Sequence, residues 1–396
     1  MTPCTVTLAP GREGPFLGGH PWLFSGAIAR VAGTPADGDE VEVVTAGGAF
    51  VARGLYNGRS QIRVRLYRWE PAPLDGPFFS SRVHDALRLR HETLGMADPD
   101  GACRLVFSEG DGLSGLTVDR YGPYLAVQFT SLALASRREV LLDALEEAVA
   151  PLGMVLRTEK GILEEEGLEL RDGPLRGTLP DGLHDFTDRG LRFAVDLRTG
   201  QKTGFYLDQR ANRARAAHYA RGRTVADVCC YTGGFSVALA AGGATSVVGV
   251  DASAPALELA AMNADRNGVA DATTFERADA FKWLERAAED GRRFGMVVLD
   301  PPRFARTRKG VRQALMAYER LNRLALGCLE PEGILVTCSC SGRVTPEEFS
   351  GAVGRAAAAA SRHVQILEAR GQAPDHPVAA TCLESSYLKC LICRVV

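Results

Sequence analysis

The sequence predicts an α/β fold: a mostly parallel sheet in the second half of the chain, preceded by a small β-rich unit and an α+β middle unit. Three observations carry this. From about Leu191, short apolar runs at 225–228, 246–250, 274–277, 296–299 and 334–338 alternate with helical stretches. Strands covered by helices on both faces read as such continuous apolar runs. Each run is followed, at the same relative place, by residues of functional type. Residues 1–72, in contrast, carry short alternating segments and Gly-rich turns.

The elements follow in chain order. Val41-Glu42-Val43-Val44 and Ile62-Arg63-Val64-Arg65-Leu66-Tyr67 alternate or nearly alternate, and Gly47-Gly48 marks a hairpin. Arg12, 30, 53, 59, 63, 65 and 68 stand against acids at 13, 37, 39, 40 and 42, so the segment is locally basic. Trp22 is expected in its core. Residues 71–77, rich in Pro, are a linker by composition. A second unit, 78–188, is expected to hold a helix near 82–94, strands at 115–118 and 124–128, and a helix near 137–150. Asp181-Gly182 marks a loop. The remainder, 189–396, is the α/β domain; its run 356–360 is helical, and 387–395 is strand-like.

Composition narrows the classes. Hydrophobic residues are 46% and charged residues 24% of 396, an ordinary globular balance. No secretory signal is expected, and no apolar stretch approaches the roughly 18 residues of a membrane helix. The ten Cys are expected as free thiols in a reducing cytoplasm. A net charge of −2 argues against an indiscriminate nucleic-acid binder but not against a local basic site. Only five Lys occur, at 160, 202, 282, 309 and 389, so Arg carries most of the positive charge.

The chemistry gathers at the strand ends. Tyr231-Thr232-Gly233-Gly234-Phe235 follows the first strand, Asp251 the second, Asp279 the third and Asp300-Pro301-Pro302 the fourth; the fifth ends in Cys338-Ser339-Cys340. In an open α/β sheet, ligands bind in the crevice at the carboxyl ends of the strands. Gly233 and Gly234 let backbone approach a ligand closely. Asp251 stands near the spacing at which an acid meets ribose hydroxyls, and Asp279 suits an adenine amino group. Either acid, alone, is equally a helix cap or turn residue. The glycine loop is not G-x-G-x-x-G, which turns the reading away from a nicotinamide oxidoreductase.

The run Gly200-Gln201-Lys202-Thr203-Gly204-Phe205-Tyr206-Leu207-Asp208-Gln209-Arg210 resembles a signature of bacterial 23S rRNA cytosine-C5 methyltransferases that carry an amino-terminal PUA domain. Similar to that family are also Tyr231-Thr232-Gly233-Gly234-Phe235, Asp300-Pro301-Pro302-Arg303-Phe304, Ser339-Cys340-Ser341-Gly342 and Ala373-Pro374-Asp375-His376-Pro377. So are Pro10-Gly11-Arg12, His20-Pro21-Trp22-Leu23-Phe24-Ser25-Gly26, and the central stretch from Ser108-Glu109-Gly110-Asp111-Gly112 to Val118-Asp119-Arg120-Tyr121. Gly18-Gly19 stand where the family carries basic residues.

The resemblance implies a PUA module at 1–72, a family-specific middle domain at 78–188 and a Rossmann-like class I methyltransferase domain at 189–396. It implies S-adenosylmethionine as cofactor, with Phe205, Gln209, Arg210, Tyr231, Gly233, Gly234, Asp251 and Asp279 around it. Cys340 would be the nucleophile and Asp300 its catalytic partner, giving 5-methylcytosine in 23S rRNA. Carbon 5 of cytosine is a poor nucleophile until a thiolate adds to carbon 6, which is the need a cysteine meets. Phe304 or Tyr231 would stack on the base. Arg303, Arg306, Arg308, Lys309 and Arg312 would grip RNA phosphates beside it, with Arg12 in the amino-terminal unit.

Other readings stay open. Cys338 competes with Cys340, two residues away on one face if the strand continues. His376 is a candidate helper or a structural turn histidine. Cys390-Leu391-Ile392-Cys393 lacks the second pair a zinc site needs, and no metal is expected. The base that removes the C5 proton is unassigned. A guanine N-methyltransferase and a non-catalytic ribosome-assembly factor are the alternative functions. No membrane partner is expected, and a homodimer is left open.

Overall fold

The computed structural model describes residues 4–198, 203–305 and 308–396. The chain forms two compact units. The first comprises Met1–Phe186, Val195–Phe205 and Pro374–Ser385; the second comprises Thr187–Ala194, Tyr206–Ala373 and Ser386–Val396. Among the described residues, no helix is long and apolar enough to cross a membrane.

The first unit holds two sheets. One has six strands in the order Trp22–Phe24, Ile62–Arg68, Phe50–Tyr56, Glu40–Val44, Cys4–Leu8 and Ile28–Ala32. Alternation puts Val6, Leu8, Val41, Val43, Val64 and Leu66 into one core. The hairpin read at Gly47-Gly48 joins Glu40–Val44 to Phe50–Tyr56, with Gly48 at φ +86°. The other sheet has five strands: Gly173–Gly177, Gly153–Leu156, Tyr124–Phe129, Leu116–Tyr121 and Ala102–Phe107. The helix expected near 82–94 begins earlier, at Gly76, inside the segment read as linker. The reason is local: Asp75 caps it, accepting the Phe78 N–H at 3.0 Å, and Pro77 occupies the first turn.

Buried charge joins these two sheets within the unit. Arg65, from the six-stranded sheet, is almost wholly buried; it meets Glu166 at 3.2 Å, Glu109 at 3.5 Å and the Ser114 hydroxyl at 2.9 Å. Ser60 and Asn57 donate to Glu166. Trp22, expected in the core, is half-buried, and its indole N–H donates to Glu109 at 2.9 Å. The segments 1–72 and 78–188 are therefore stitched together by ion pairs that neither could satisfy alone. The segment Pro374–Ser385 is held in the same way. Fully buried Arg90 pairs with Asp111 and donates to the Asp375 carbonyl at 2.8 Å, while the Asp375 carboxylate accepts the Arg104 N–H.

The second unit is built on a seven-stranded sheet. Its elements are α1 (Arg210–Ala220), β1 (Thr224–Val228), α2 (Gly234–Ala241), β2 (Ser246–Asp251), α3 (Ala254–Arg266), β3 (Thr273–Arg277), α4 (Ala280–Glu289), β4 (Phe294–Leu299), α5 (Val311–Gly327), β5 (Leu329–Ser339), α6 (Pro346–Ala359), β6 (Val364–Arg370) and β7 (Lys389–Val395). The spatial order is β3-β2-β1-β4-β5-β7-β6. β1 to β5 are parallel, and β7 runs antiparallel between β5 and β6. The order reverses between β1 and β4, which is where a doubly wound sheet opens its ligand crevice. One core cluster includes Val250, Leu299, Leu321 and Phe349; a second includes Val225, Met296, Val336 and Ile392.

Replacing Arg65 by Met should strand two buried carboxylates. Urea unfolding of the variant should show the first unit destabilised by about 3–5 kcal/mol. A loss below about 1 kcal/mol would show that the network does not hold the two sheets together.

Candidate active site

The loop from β1 to α2 is strained. Cys229, Tyr231 and Gly233 all have left-handed backbone, with φ of +66°, +50° and +78°. Such residues cost on the order of 1–3 kcal/mol each unless glycine, and persist only where neighbours hold them. Here the Cys229 and Cys230 N–H groups both donate to the Val250 carbonyl, at 2.8 and 3.0 Å. The Tyr231 N–H donates to Asp251 at 2.9 Å, and buried Asn263 of α3 donates to the Thr232 carbonyl at 3.0 Å. A Cβ at position 233 would stand 3.0 Å from that of Ala260, so the close passage over α3 demands glycine. Gly234 is the buried first residue of α2.

Asp251 closes β2. Its Oδ2 takes the Tyr231 N–H and its Oδ1 the Ser253 N–H, both at 2.9 Å. The cap of α3 is Ser253, so Asp251 is not spent as a cap. Each of its oxygens keeps a second lone pair for hydroxyl donors. Asp279 differs: it is the N-cap of α4, accepting the Lys282 N–H at 3.1 Å, and it is exposed.

Asp300, after β4, accepts from the Gln209 side chain at 3.0 Å. Gln209 is itself held by Asn212, whose amide donates to it at 2.7 Å. Burial pushes the Asp300 carboxyl up to about 7, Asp208 adds repulsion, and the Gln209 hydrogen bond opposes the rise. A carboxyl poised there can hold or release a proton at neutral pH. Arg210 turns elsewhere. Its buried guanidinium shares Asp188 with that of Arg213, both at 2.7 Å. Burial alone would raise Asp188; the two guanidiniums outweigh it and hold the carboxyl below its usual range. Arg210, expected at the cofactor, thus also shares a buried carboxylate.

Cys340 follows β5 directly. The strand ends at Ser339, so the two cysteines do not share an exposed face. Cys338 is fully buried, and its contact with Cys390 and burial both push its thiol up. Cys340 is half-buried, with Sγ 3.9 Å from the Pro301 carbonyl. Hydroxyls pin the turn on either side: Ser339 donates to the Tyr318 phenol at 2.9 Å, Ser341 lies 3.0 Å from the same oxygen, and the Ala305 N–H donates to Ser341 at 3.3 Å. This ties the cysteine turn to the segment after Asp300.

Three residues that sequence reasoning did not single out belong here. Tyr206 packs edge-on against Tyr231, centroids 5.3 Å apart, and its phenol is pushed up by burial, then by Tyr231, Asp300 and Cys340. Asp208 accepts from Tyr387 and leaves its buried Oδ1 without a partner. Lys389 opens β7, buried, donating to the Ser341 carbonyl at 2.7 Å and the Tyr387 carbonyl at 2.8 Å. The signal for Lys389 was a single cation in the apolar run Leu388-Lys389-Cys390-Leu391-Ile392.

The Phe304 ring packs on Tyr318 and Phe281, at 4.8 and 6.4 Å, and so anchors its loop. Phe205 lies in the first unit, against Phe186 and donating its N–H to Tyr121. His376 is there too, buried beside Phe107 and Asp375. Arg12, Arg303, Arg308, Lys309 and Arg312 are exposed. Arg306 and the run 199–202 lie outside the described residues. His20, Cys382 and Glu384 bring ligand-type atoms within 4.8 Å of one another. However, His20 Nδ1 accepts the Trp22 N–H, which leaves the ring proton on Nε2, facing Glu384.

A family model described as S-adenosylmethionine-dependent methyltransferase covers residues 175–389, and one described as a PUA-like domain covers 6–69. The ribosomal RNA large subunit methyltransferases I of Erwinia tasmaniensis and Escherichia coli K12 are each 38% identical to the chain over 393 residues, 99% of both proteins. A solved structure assigned as a methyltransferase, complexed with SAH, shares the fold with a TM-score of 0.87 at 20% identity, over 98% of this chain and 99% of that one.

A second carboxyl beneath the crevice should be visible in the pH dependence of stability. Asp227 of β1 is fully buried, and burial pushes it up to about 7 against the Ser236 hydrogen bond. A carboxyl raised in the folded state binds its proton there while the unfolded chain has released it. Stability therefore falls as pH rises from about 4 to about 7. Asp227→Asn should flatten that fall by on the order of 2 kcal/mol between pH 5 and 7, read from urea midpoints. A slope equal to wild type would place the Asp227 carboxyl near its ordinary value.

Proposed function

Because this chain belongs to the S-adenosylmethionine-dependent methyltransferase family that includes the ribosomal RNA large subunit methyltransferases I, we propose that it methylates carbon 5 of a cytosine in 23S rRNA, in the cytoplasm, through Cys340. The observation that carries the reading is the meeting of Cys340 with the Asp300-Pro301 turn at neighbouring strand ends, Sγ against the Pro301 carbonyl. A nucleophile beside a carboxyl that can hold a proton near neutrality is what attack on a pyrimidine ring needs.

The residues of the crevice fit the cofactor. Asp251 retains acceptor capacity for ribose hydroxyls after organising the glycine loop, and Gly233 puts no side chain in the way. When bound, S-adenosylmethionine supplies an electrophilic methyl group. Cys340 Sγ bonds to carbon 6 of the base, and the ring electrons shift so that carbon 5 becomes nucleophilic. Asp300, protonated, donates to the pairing edge and stabilises the charge gathering at N3. After methylation a base removes the carbon 5 proton, the double bond re-forms and the thiolate leaves. The base would reach this site flipped from its RNA context. Phe304, half-buried, and Tyr231, with Tyr206 beside it, are the rings available to meet its face.

RNA carrying 5-fluorocytosine lacks the proton whose loss permits elimination. Enzyme, S-adenosylmethionine and such RNA should give a complex stable in denaturing gels. Wild type and Cys338→Ala should trap, and Cys340→Ala should not. Trapping lost only in Cys338→Ala would reverse the assignment. Methyl transfer to natural RNA without any trapping would point to an N-methylated base.

RNA docking is assigned to the PUA-like sheet, with Arg12, and to the exposed cations after Asp300. Replacing Arg303, Arg308 and Arg312 together by Ala should flatten the log–log salt dependence of RNA binding by roughly 0.7–0.9 for each phosphate no longer gripped. A wild-type slope would remove this loop from the interface.

A further inference from the structure

Lys389 is a buried cation for which the cytosine chemistry has no task. Its nitrogen donates to two backbone carbonyls, Ser341 and Tyr387, and these take two of the positions around it. Among the described residues no carboxylate forms an ion pair with it. A buried ammonium without a counter-charge is costly, and a well-packed apolar residue would fill the same strand position more cheaply. The carbonyl it grips belongs to the residue after Cys340, and Lys389 pairs across the strands with Ser339, the residue before it.

We propose that Lys389 is the positioning residue that keeps Cys340 as a thiolate. Two carbonyls, one of them that of the residue after Cys340, fix its nitrogen beside the cysteine turn and take two of its three N–H groups. The inference rests on Cys340 being the nucleophile. The step balances simply: the thiol S–H bond breaks, its proton goes to the neutral amine, and the resting pair is ammonium and thiolate. No oxidant or further reactant is involved.

The charged surroundings agree. Burial draws Lys389 down to about 8; Cys340 opposes this most strongly, Arg303 adds to it and Glu348 of α6 resists it. A lysine near 8 can exchange a proton with a thiol, whose ordinary value is about 8.5. The phenols of Tyr206 and Tyr318, which also feel Cys340, are pushed up and stay neutral. Lys389 is therefore the buried cation through which the thiolate can be held before any substrate arrives.

The test is the pH profile of Cys340 alkylation by iodoacetamide in the full-length protein, read at Cys340 by peptide mass spectrometry. Wild type should react with a midpoint below that of a free cysteine, about 8.5. Lys389→Met should react at least tenfold more slowly at pH 7, with its profile moved up by a unit or more. Lys389→Arg, which stays charged, should stay within threefold of wild type. A wild-type midpoint at or above the free value overturns the proposal, and so does a Lys389→Met profile that overlays wild type. Should the Met variant fail to bind S-adenosylmethionine in calorimetry, the wild-type and Arg profiles decide alone. The assay uses no RNA, so normal alkylation behaviour without 5-fluorocytosine trapping would sink the cytosine reading and leave this one standing.

Discussion

Asp188 accepts two guanidiniums, from Arg210 and Arg213, in the interior of the second unit. Two buried cations cannot remain there unpaired, and one carboxylate cannot hold both except in a narrow geometry. That geometry sets where α1 begins. Arg213 also donates to the Tyr206 carbonyl at 2.8 Å, so the turn from Tyr206 to Arg210 is fixed at both ends. Gln209, inside that turn, is thereby presented to Asp300, Asp208 to Tyr387, and Tyr206 to Tyr231. The ion pair thereby orients that turn.

The same economy governs the glycine loop. Left-handed backbone at Cys229 and Tyr231 would be released in isolation. It is offset by carbonyl and carboxylate acceptors at the end of β2, which these N–H groups would otherwise lack. Asp251 accepts from the loop and from the Ser253 N–H, and in the proposed function it also meets a ribose. Changing it would loosen the loop, whatever it does to a ligand.

At the other side of the crevice, chemistry depends on where a strand stops. Ser339 still pairs with β7, while Cys340 has left the sheet and is held by hydroxyls and by the Lys389 grip on Ser341. Two residues of difference separate a sulfur in the core, Cys338, from one just past the strand end, Cys340. The Tyr318 hydroxyl network makes that difference reproducible, since both flanking serines share one phenol.

Periodicity determined much of the second unit before any coordinates. Apolar runs of strand length between helices can only be buried in a covered parallel sheet, and the five strands lie where those runs are. Of the acids that follow them, Asp251 organises the glycine loop, whereas Asp279 caps the next helix and is exposed. Other features depended on contacts between residues far apart in the chain. Nothing local foretells that Arg210 pairs with Asp188, or that Phe304 packs on Tyr318. Glu109 and Glu166 lie 44 and 101 residues from Arg65, which only the fold brings between them. Composition and pattern determine which residues must be buried and which strand ends converge; only the tertiary structure decides which partner each buried charge finds, because that pairing is made across the fold and not along the sequence.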